Sequence, residues 1–212
     1  MEKLAIVGAG GHAKVVLDIL KEMNNYEIVG VTTNEISDKK DFCGYPILGD
    51  ESILSDLIVN GVTHVAIGVG GFRNNYSRQH VYAKVKAIGF QIVSAVHPSA
   101  VISKTVVLGE GNVIFLGVCI NTDAHIGNNV IIATGSTIDH ETTIEDHVLV
   151  SAGVTVGANV LIQEGALLAL GSKVVSRVKV GRNVLIGAGA VVVKDCLEEG
   201  TYLGIPATRI DG

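Results

Sequence analysis

A histidine between two acidic residues has the clearest chemical potential in this 212-residue chain, at Asp139, His140 and Glu141. Imidazole takes up a proton near neutral pH, and a neighbouring carboxylate orients the ring or raises its basicity. Such a base can remove the proton that an attacking amine or hydroxyl must lose. We predict that His140 is a general base assisted by Glu141 and Asp139; the alternative is a surface histidine in an acidic turn. Five other histidines are expected to be structural or solvated: His64, His80, His97, His125 and His147.

A six-residue repeat determines where this histidine lies. Every sixth residue from Val96 to Val192 is Val, Ile or Leu. A period of six fits neither an α-helix nor a hairpin strand, and it is typical of a parallel β-helix, in which short strands stack one coil apart. We therefore predict a β-helix over residues 96–212, with residues 139–141 at a coil corner.

The first 95 residues have a different pattern. Leu4–Val7 is predicted to be a buried strand and Ala13–Leu20 a helix, with a glycine turn at residues 8–12 between them. Such a turn presents the unpaired amides of a helix N-terminus to a phosphate. Further strands are predicted around Ile28–Val31 and His64–Val69, and further helices around Glu51–Ile58 and Tyr76–Ile88. Together these elements give the order expected of a parallel α/β sheet. Gly68, in the glycine-rich stretch 68–71, is a second candidate for backbone approach to a ligand, or part of a simple loop.

The glycine turn resembles a dinucleotide fingerprint, at Gly8, Gly10 and Ala13. Two observations oppose NAD(P) binding. Thr33 and Asn34 follow the second predicted strand, where an acidic residue is expected, and 95 residues are too few for dinucleotide and substrate domains together.

Composition narrows the possible partners. A formal net charge of −5 and 17% charged residues give no electrostatic reason to expect nucleic acid or an anionic membrane. Three widely spaced cysteines argue against a disulfide framework and a zinc site, and favour the cytoplasm. With no apolar run of about 20 residues, no membrane span is expected. The predicted partners are small molecules.

The unbroken repeat, AHIGNNVIIATG at 124–135 and GIPATRI at 204–210 resemble the hexapeptide transferase superfamily over essentially the whole chain. The layout is similar to the family that N-acetylates nucleotide-linked 4-amino sugars or O-acetylates sialic acid. This resemblance implies an α/β Rossmann-like half-domain (1–95) that holds a nucleotide sugar, followed by a left-handed parallel β-helix (96–212) that binds acetyl-CoA. It also implies a homotrimer with active sites between subunits, and N-acetylation in surface-glycan synthesis. O-acetylation of sialic acid or a similar sugar is the alternative.

The resemblance also assigns residues. A histidine followed by an acidic residue, here His140 and Glu141, is the general base of the family. The nucleotide sugar is expected to contact Gly10, Gly11 and His12 near its phosphates and Thr33 and Asn34 near its nucleoside, where relatives often have two acidic residues. The acetyl-CoA positions are Leu149, where relatives usually have a second histidine, Leu170 and Ala188. Arg209 is a candidate partner of a CoA phosphate.

The residues alone also allow two other classes of function. A carbonic anhydrase-like zinc site would need three histidines meeting across a subunit interface, for which His125, His140 and His147 are the candidates. A scaffold that binds nucleotide sugars without catalysis is the other. No metal is expected. Direct attack on the thioester is the working mechanism, because no cysteine adjoins His140.

Overall fold

The computed structural model describes residues 1–35 and 40–210. It forms two compact units. The first contains Met1–Gly70 and Tyr76–Pro98, and the second contains Gly71–Asn75 and Ser99–Gly212. The change from one unit to the other therefore falls three residues after the boundary expected from the repeat. None of the described helices is long and apolar enough to cross a bilayer.

The first unit is an α/β domain with a parallel core. Its strands are β1 (Glu2–Val7), β2 (Tyr26–Thr32), β3 (Asp41–Phe42), β4 (Tyr45–Gly49), β5 (His64–Ile67), β6 (Gln91–Ile92) and β7 (Ala95–Val96). Its helices are α1 (Gly11–Met23), α2 (Leu54–Val59), which follows a 3₁₀ turn at Glu51–Ile53, and α3 (Tyr76–Ile88). The predicted elements are all present, and the structure adds the β3–β4 hairpin and β6, which were not predicted.

The strand order of this sheet is β3-β4-β2-β1-β5-β6. β1 pairs in parallel with β2 on one side and with β5 on the other, so the order reverses direction at β1. Ligands of open α/β sheets bind at such a switch point, outside the carboxyl ends of the strands. Here the glycine turn after β1 and the glycine-rich stretch after β5 both leave the sheet at that edge.

The second unit is a parallel β-helix whose coils each contain 18 residues, since Ile120 pairs with Ile138 and Ile138 with Val156. Two-residue strands build three faces. The first face has Val113–Ile114, Ile131–Ile132, Leu149–Val150, Leu167–Leu168 and Leu185–Ile186, extended by Thr201–Leu203 and antiparallel Thr208–Ile210. The second has Val101–Ile102, Cys119–Ile120, Thr137–Ile138, Thr155–Val156, Lys173–Val174 and Val191–Val192. The third has Val107–Leu108, His125–Ile126, Thr143–Ile144, Leu161–Ile162 and Lys179–Val180.

The repeat residues fill the interior of these coils. From Ile114 to Val192 every sixth residue is at most 3% exposed, whereas Ile102 and Leu108 in the first coil are half-buried. At the corners, a left-handed backbone residue also recurs every sixth position, most often Gly or Asn. These residues turn the chain because glycine and asparagine adopt positive φ at low cost.

Candidate active site

His140 lies at the corner between the second and third faces. Its Nδ1 is 3.0 Å from Oε2 of Glu141, and the two side chains are 43% and 56% exposed. Because a carboxylate only accepts hydrogen bonds, this contact places the proton of the neutral ring on Nδ1. Nε2 is then the basic atom of a side chain that is partly exposed.

Glu141 is itself held in place. Asn159, one coil further on, donates from Nδ2 to the same Oε2 at 3.1 Å, and the backbone N–H of Glu141 donates to the Thr122 carbonyl. Glu141 occupies a left-handed corner with φ of 56°. This conformation costs a residue other than Gly, Asn or Asp about 1–2 kcal/mol. The chain thus tolerates backbone strain where it fixes the carboxylate beside His140.

Asp139 has a different role. Its Oδ1 accepts the backbone N–H of His140 at 2.8 Å and Nδ2 of Asn121 at 3.1 Å, so this carboxylate binds the backbone of His140 and not its ring. The sequence predicts two carboxylates assisting the base. The structure assigns the ring contact to Glu141 and a backbone contact to Asp139.

This division predicts unequal effects of two matched substitutions. Glu141→Gln removes the anionic partner of Nδ1, so we expect a loss of kcat/KM of about tenfold or more, with an altered acidic limb of the pH profile. Asp139→Asn keeps an oxygen acceptor for the backbone amide and should cost less. Initial rates from pH 5 to 9 test the difference. Equal losses in the two variants would contradict the assignment.

The three expected acetyl-CoA positions do not lie together with His140 in one chain. Leu170 is 61% exposed at the corner between the first and second faces, and exposed Ala188 stacks on it, with Gly189 donating its N–H to the Leu170 carbonyl at 2.9 Å. Leu149 lies on the first face and is only 7% exposed. Within the second unit, Leu170 and Ala188 therefore offer an open surface, whereas Leu149 does not.

The second face connects the two corners. A shallow groove of about 390 Å³ follows it, lined by outward side chains such as Val101, Cys119, Thr137 and Thr155, with Asp139 at its edge. This groove places an apolar surface beside the candidate base.

The other histidines of the coils have different surroundings. His125 Nδ1 lies 3.1 Å from the Asp123 carbonyl oxygen, and His147 Nδ1 lies 2.9 Å from Asn129 Nδ2. Among residues 1–35 and 40–210, no group of three His, Cys, Asp or Glu residues is placed to hold a metal ion.

In the first unit, a cleft of about 600 Å³ opens beside the glycine turn. Three of the expected nucleotide-binding residues line it: Gly10, Gly11 and Thr33. Three charged residues that the sequence does not predict also line the cleft: Lys14, Glu35 and Asp41. Lys14 lies one turn into α1, where a cation and the helix amides favour an anion together.

Asn34 and Gly68 lie outside this cleft. Asn34 donates to Glu51 Oε1 at 2.9 Å and accepts the Glu51 N–H at 3.2 Å, in a second cleft of about 490 Å³ that also includes Tyr76 and His80. A Cβ on Gly68 would lie 2.8 Å from Cβ of Ala13. Gly68 therefore allows β5 and α1 to pack closely.

Comparison with known proteins identifies the family. Residues 3–85 match the PglD N-terminal domain family. The structure matches that of a histidine-to-alanine mutant of GDP-perosamine N-acetyltransferase from Caulobacter crescentus, in complex with CoA and GDP-perosamine, with a TM-score of 0.93 and 31% identity over 100% of this chain and 98% of that one. The chain belongs to the nucleotide-aminosugar N-acetyltransferases. The predicted acyltransferase class and fold, a Rossmann-like half-domain followed by a left-handed parallel β-helix, are confirmed.

Two further relatives agree with this assignment. The acetyltransferase domain of PglB from Neisseria gonorrhoeae, in complex with acetyl coenzyme A, has a TM-score of 0.91 and 28% identity, with 99% of each chain covered. UDP-N-acetylbacillosamine N-acetyltransferase from Bacillus subtilis is 32% identical over 118 residues, which are 54% of this chain and 51% of that protein. The match to this curated relative thus spans about half of its length.

The imidazole of His12 is turned into the first unit, where it is largely buried. The N-cap of α1 is Gly10, and His12 is the second residue of the helix. Burial, with a smaller contribution from the Arg78 cation, lowers the pKa of His12 to about 3. The ring is therefore neutral at physiological pH and offers a substrate no positive charge. A Cβ on Gly70 would lie 3.0 Å from Cβ of His12, so this ring packs against the stretch that follows β5.

We predict that His12→Ala raises KM for the nucleotide sugar and leaves KM for acetyl-CoA unchanged. The ring supports the glycine turn, and its removal loosens the amides that face the cleft. Because wild-type His12 stays neutral, it should add no titration to KM between pH 5 and 9. Steady-state kinetics with each substrate varied in turn test this expectation; a change confined to acetyl-CoA would place the nucleotide elsewhere.

Proposed function

We propose that this enzyme transfers the acetyl group of acetyl-CoA to the 4-amino group of a nucleotide-linked deoxysugar, in surface-glycan biosynthesis. The observation that carries the proposal is the His140–Glu141 pair, a partly exposed imidazole hydrogen-bonded through Nδ1 to a carboxylate at a β-helix corner. The Caulobacter crescentus relative, whose fold matches over 98% of its chain, has been solved in complex with CoA and GDP-perosamine. In two of those structures one of its histidines is replaced, by alanine or by asparagine.

The reaction needs one base and no covalent enzyme intermediate. The sugar amine attacks the thioester carbonyl carbon, a C–N bond forms, and the C–S bond breaks. His140 Nε2 takes the proton lost by the amine and returns it to the departing thiolate, giving an amide and free CoA. Glu141 stabilises the imidazolium formed in between through its contact with Nδ1.

Thiol release from acetyl-CoA tests the function directly. We expect release with an amino sugar linked to GDP, UDP or dTDP, and an N-acetylated product by mass spectrometry. The matched control is the same nucleotide sugar with a hydroxyl in place of the 4-amino group. Release with that control, or with sialic acid, would favour O-acetylation, whereas binding without any release would leave a scaffold.

We infer that the active enzyme is a homotrimer, since one chain separates the parts of the proposed site. His140 lies between the second and third faces, and Leu170 and Ala188 lie between the first and second. In a closed cyclic assembly, each chain presents one surface to a different surface of its neighbour. The corner with His140 in one chain can then face the corner with Leu170 and Ala188 in the next. The apolar groove of the second face is available for such a contact.

Light scattering at assay concentration should therefore give a mass near three times 22.1 kDa. Specific activity should fall when dilution lowers this mass, because each site needs two chains. A fully active monomer would contradict the interfacial site.

We also place the reaction in the cytoplasm. Cys43, Cys119 and Cys196 are free thiols, and the first two are exposed. Exposed thiols persist in a reducing compartment.

A further inference from the structure

The nucleotide cleft of the first unit contains two acidic residues, Glu35 and Asp41, which lie on different strands of the sheet or directly after them. Their distances from the glycine turn can be compared with the length of a bound nucleotide. Strands run outward from the glycine turn in the order β1, β2, β4, β3. Neighbouring strands are about 4.8 Å apart, so β1 and β3 are separated by roughly 14 Å. This is the scale of an extended nucleoside diphosphate, and each of these strands, or the segment directly after it, contributes a residue to the lining of the cleft.

The inner part of the cleft is suited to phosphates and ribose. Gly10, Gly11 and Lys14 provide helix amides and a cation beside β1. Thr33 and Glu35 follow β2, and the Thr33 hydroxyl accepts the backbone N–H of Glu35 at 3.2 Å. An acidic residue after the second strand of such a sheet accepts hydrogen bonds from ribose hydroxyls.

The outer wall is the β3–β4 hairpin. Asp41 pairs with Pro46 and Phe42 with Tyr45, and the turn between them has positive φ at Cys43 (54°) and Gly44 (84°). Two consecutive positive φ values define the tight turn that matches the twist of a hairpin. Asp41 and Phe42 are therefore placed by a short, regular hairpin at the end of the cleft farthest from the phosphates, where the base of a nucleotide would lie.

We propose that Asp41 reads the base and makes this enzyme selective for a guanosine diphosphate sugar. Guanine presents two adjacent donors, N1–H and the N2 amino group, which match the two oxygens of one carboxylate. Uracil and thymine present a single N–H between two carbonyls, and a carboxylate repels those carbonyl oxygens. Phe42 supplies a ring on which the base stacks. This inference rests on the proposed nucleotide-sugar function.

The experiment is a calorimetric titration of the full chain with GDP, IDP, UDP and dTDP. IDP lacks only the 2-amino group of GDP, so the ratio of the two dissociation constants isolates that contact. We expect GDP to bind about tenfold more tightly than IDP and than either pyrimidine nucleotide, the order of effect of one bidentate pair. In Asp41→Asn the GDP/IDP ratio should approach one, with little change for UDP.

Two further variants complete the test. Glu35→Gln should weaken GDP, IDP and UDP alike, because they share the ribose diphosphate, and should weaken dTDP less, because its sugar lacks the 2′-hydroxyl. Asp18→Asn, an exposed carboxylate of α1 outside the cleft, should change nothing. The proposal is overturned if UDP or dTDP binds as tightly as GDP. It is also overturned if the difference between the dissociation constants of GDP and IDP persists in Asp41→Asn or disappears in Glu35→Gln.

The outcomes also separate this inference from the function on which it rests. Thiol release with a UDP-linked amino sugar and not with its GDP counterpart would uphold the acetyltransferase function and overturn guanine selection. If none of the four nucleotides binds and no nucleotide sugar supports thiol release, both fail.

Discussion

Replacing His140 with alanine lowers kcat/KM by about 10²–10⁴, because a positioned general base contributes that much to a proton transfer. Both substrates should still bind, since the side chain is partly exposed and its only described side-chain contact is with Glu141. Dissociation constants for acetyl-CoA and the nucleotide, measured beside the rates, separate loss of chemistry from loss of structure.

The matched control is His125→Ala, which removes an exposed histidine whose ring contacts the Asp123 carbonyl. Its activity should stay within about a factor of two of wild type, as expected of a surface substitution. The role of His140 is falsified if His140→Ala retains more than about a third of kcat on a confirmed acceptor, because no general base supplies so little.

The sequence predicts the β-helix so well because one physical requirement recurs in every coil. Each inward position must be aliphatic to stack on the residue 18 positions away, as Ile120 does on Ile138. The same periodicity predicts that residues 139–141 lie at a corner. It does not predict which carboxylate reaches the ring, since both neighbours are one residue from His140. That outcome depends on the left-handed backbone of Glu141 and on Asn159 from the next coil.

The nucleotide cleft is harder to predict because its residues come from separate elements. The glycine turn has a local pattern, so Gly10 and Gly11 are found from the sequence. The β3–β4 hairpin has strands of two and five residues, too short for a clear alternation. Asp41 and Phe42 therefore have no signal of their own. Asn34 was expected in this cleft and instead pairs with Glu51, a contact between residues 17 positions apart.

Arg78 is another residue that no sequence pattern identifies. It belongs to α3 and is fully buried, and its Nη1 donates to the carbonyl oxygens of Ile67 and Val69, both at 2.8 Å. Burial lowers its pKa to about 9, so the guanidinium remains charged at neutral pH. These two carbonyls flank Gly68 at the end of β5, where the chain leaves the sheet and its carbonyls lose the donors of a neighbouring strand. Arg78 thus satisfies the backbone at the switch point.

Arg78→Met should destabilise the protein by about 2–4 kcal/mol, because the buried carbonyl of Ile67 and the part-buried carbonyl of Val69 lose their charged donor. Urea denaturation monitored by circular dichroism measures the change. Arg78→Lys keeps the charge and one donor group, so it should recover part of the loss. Arg73→Met, which removes an exposed arginine five positions earlier, should change stability by less than about 0.5 kcal/mol.

Kinetics distinguish this role from stability in general. At a temperature where Arg78→Lys is folded, KM for the nucleotide sugar should rise while KM for acetyl-CoA stays unchanged, because the carbonyls that Arg78 holds belong to the stretch that packs against His12. If Arg78→Met unfolds in the same urea concentration as the wild type, the two carbonyls have other donors in solution. If Arg78→Lys instead raises KM for both substrates equally, the guanidinium supports the fold as a whole and not the nucleotide cleft in particular.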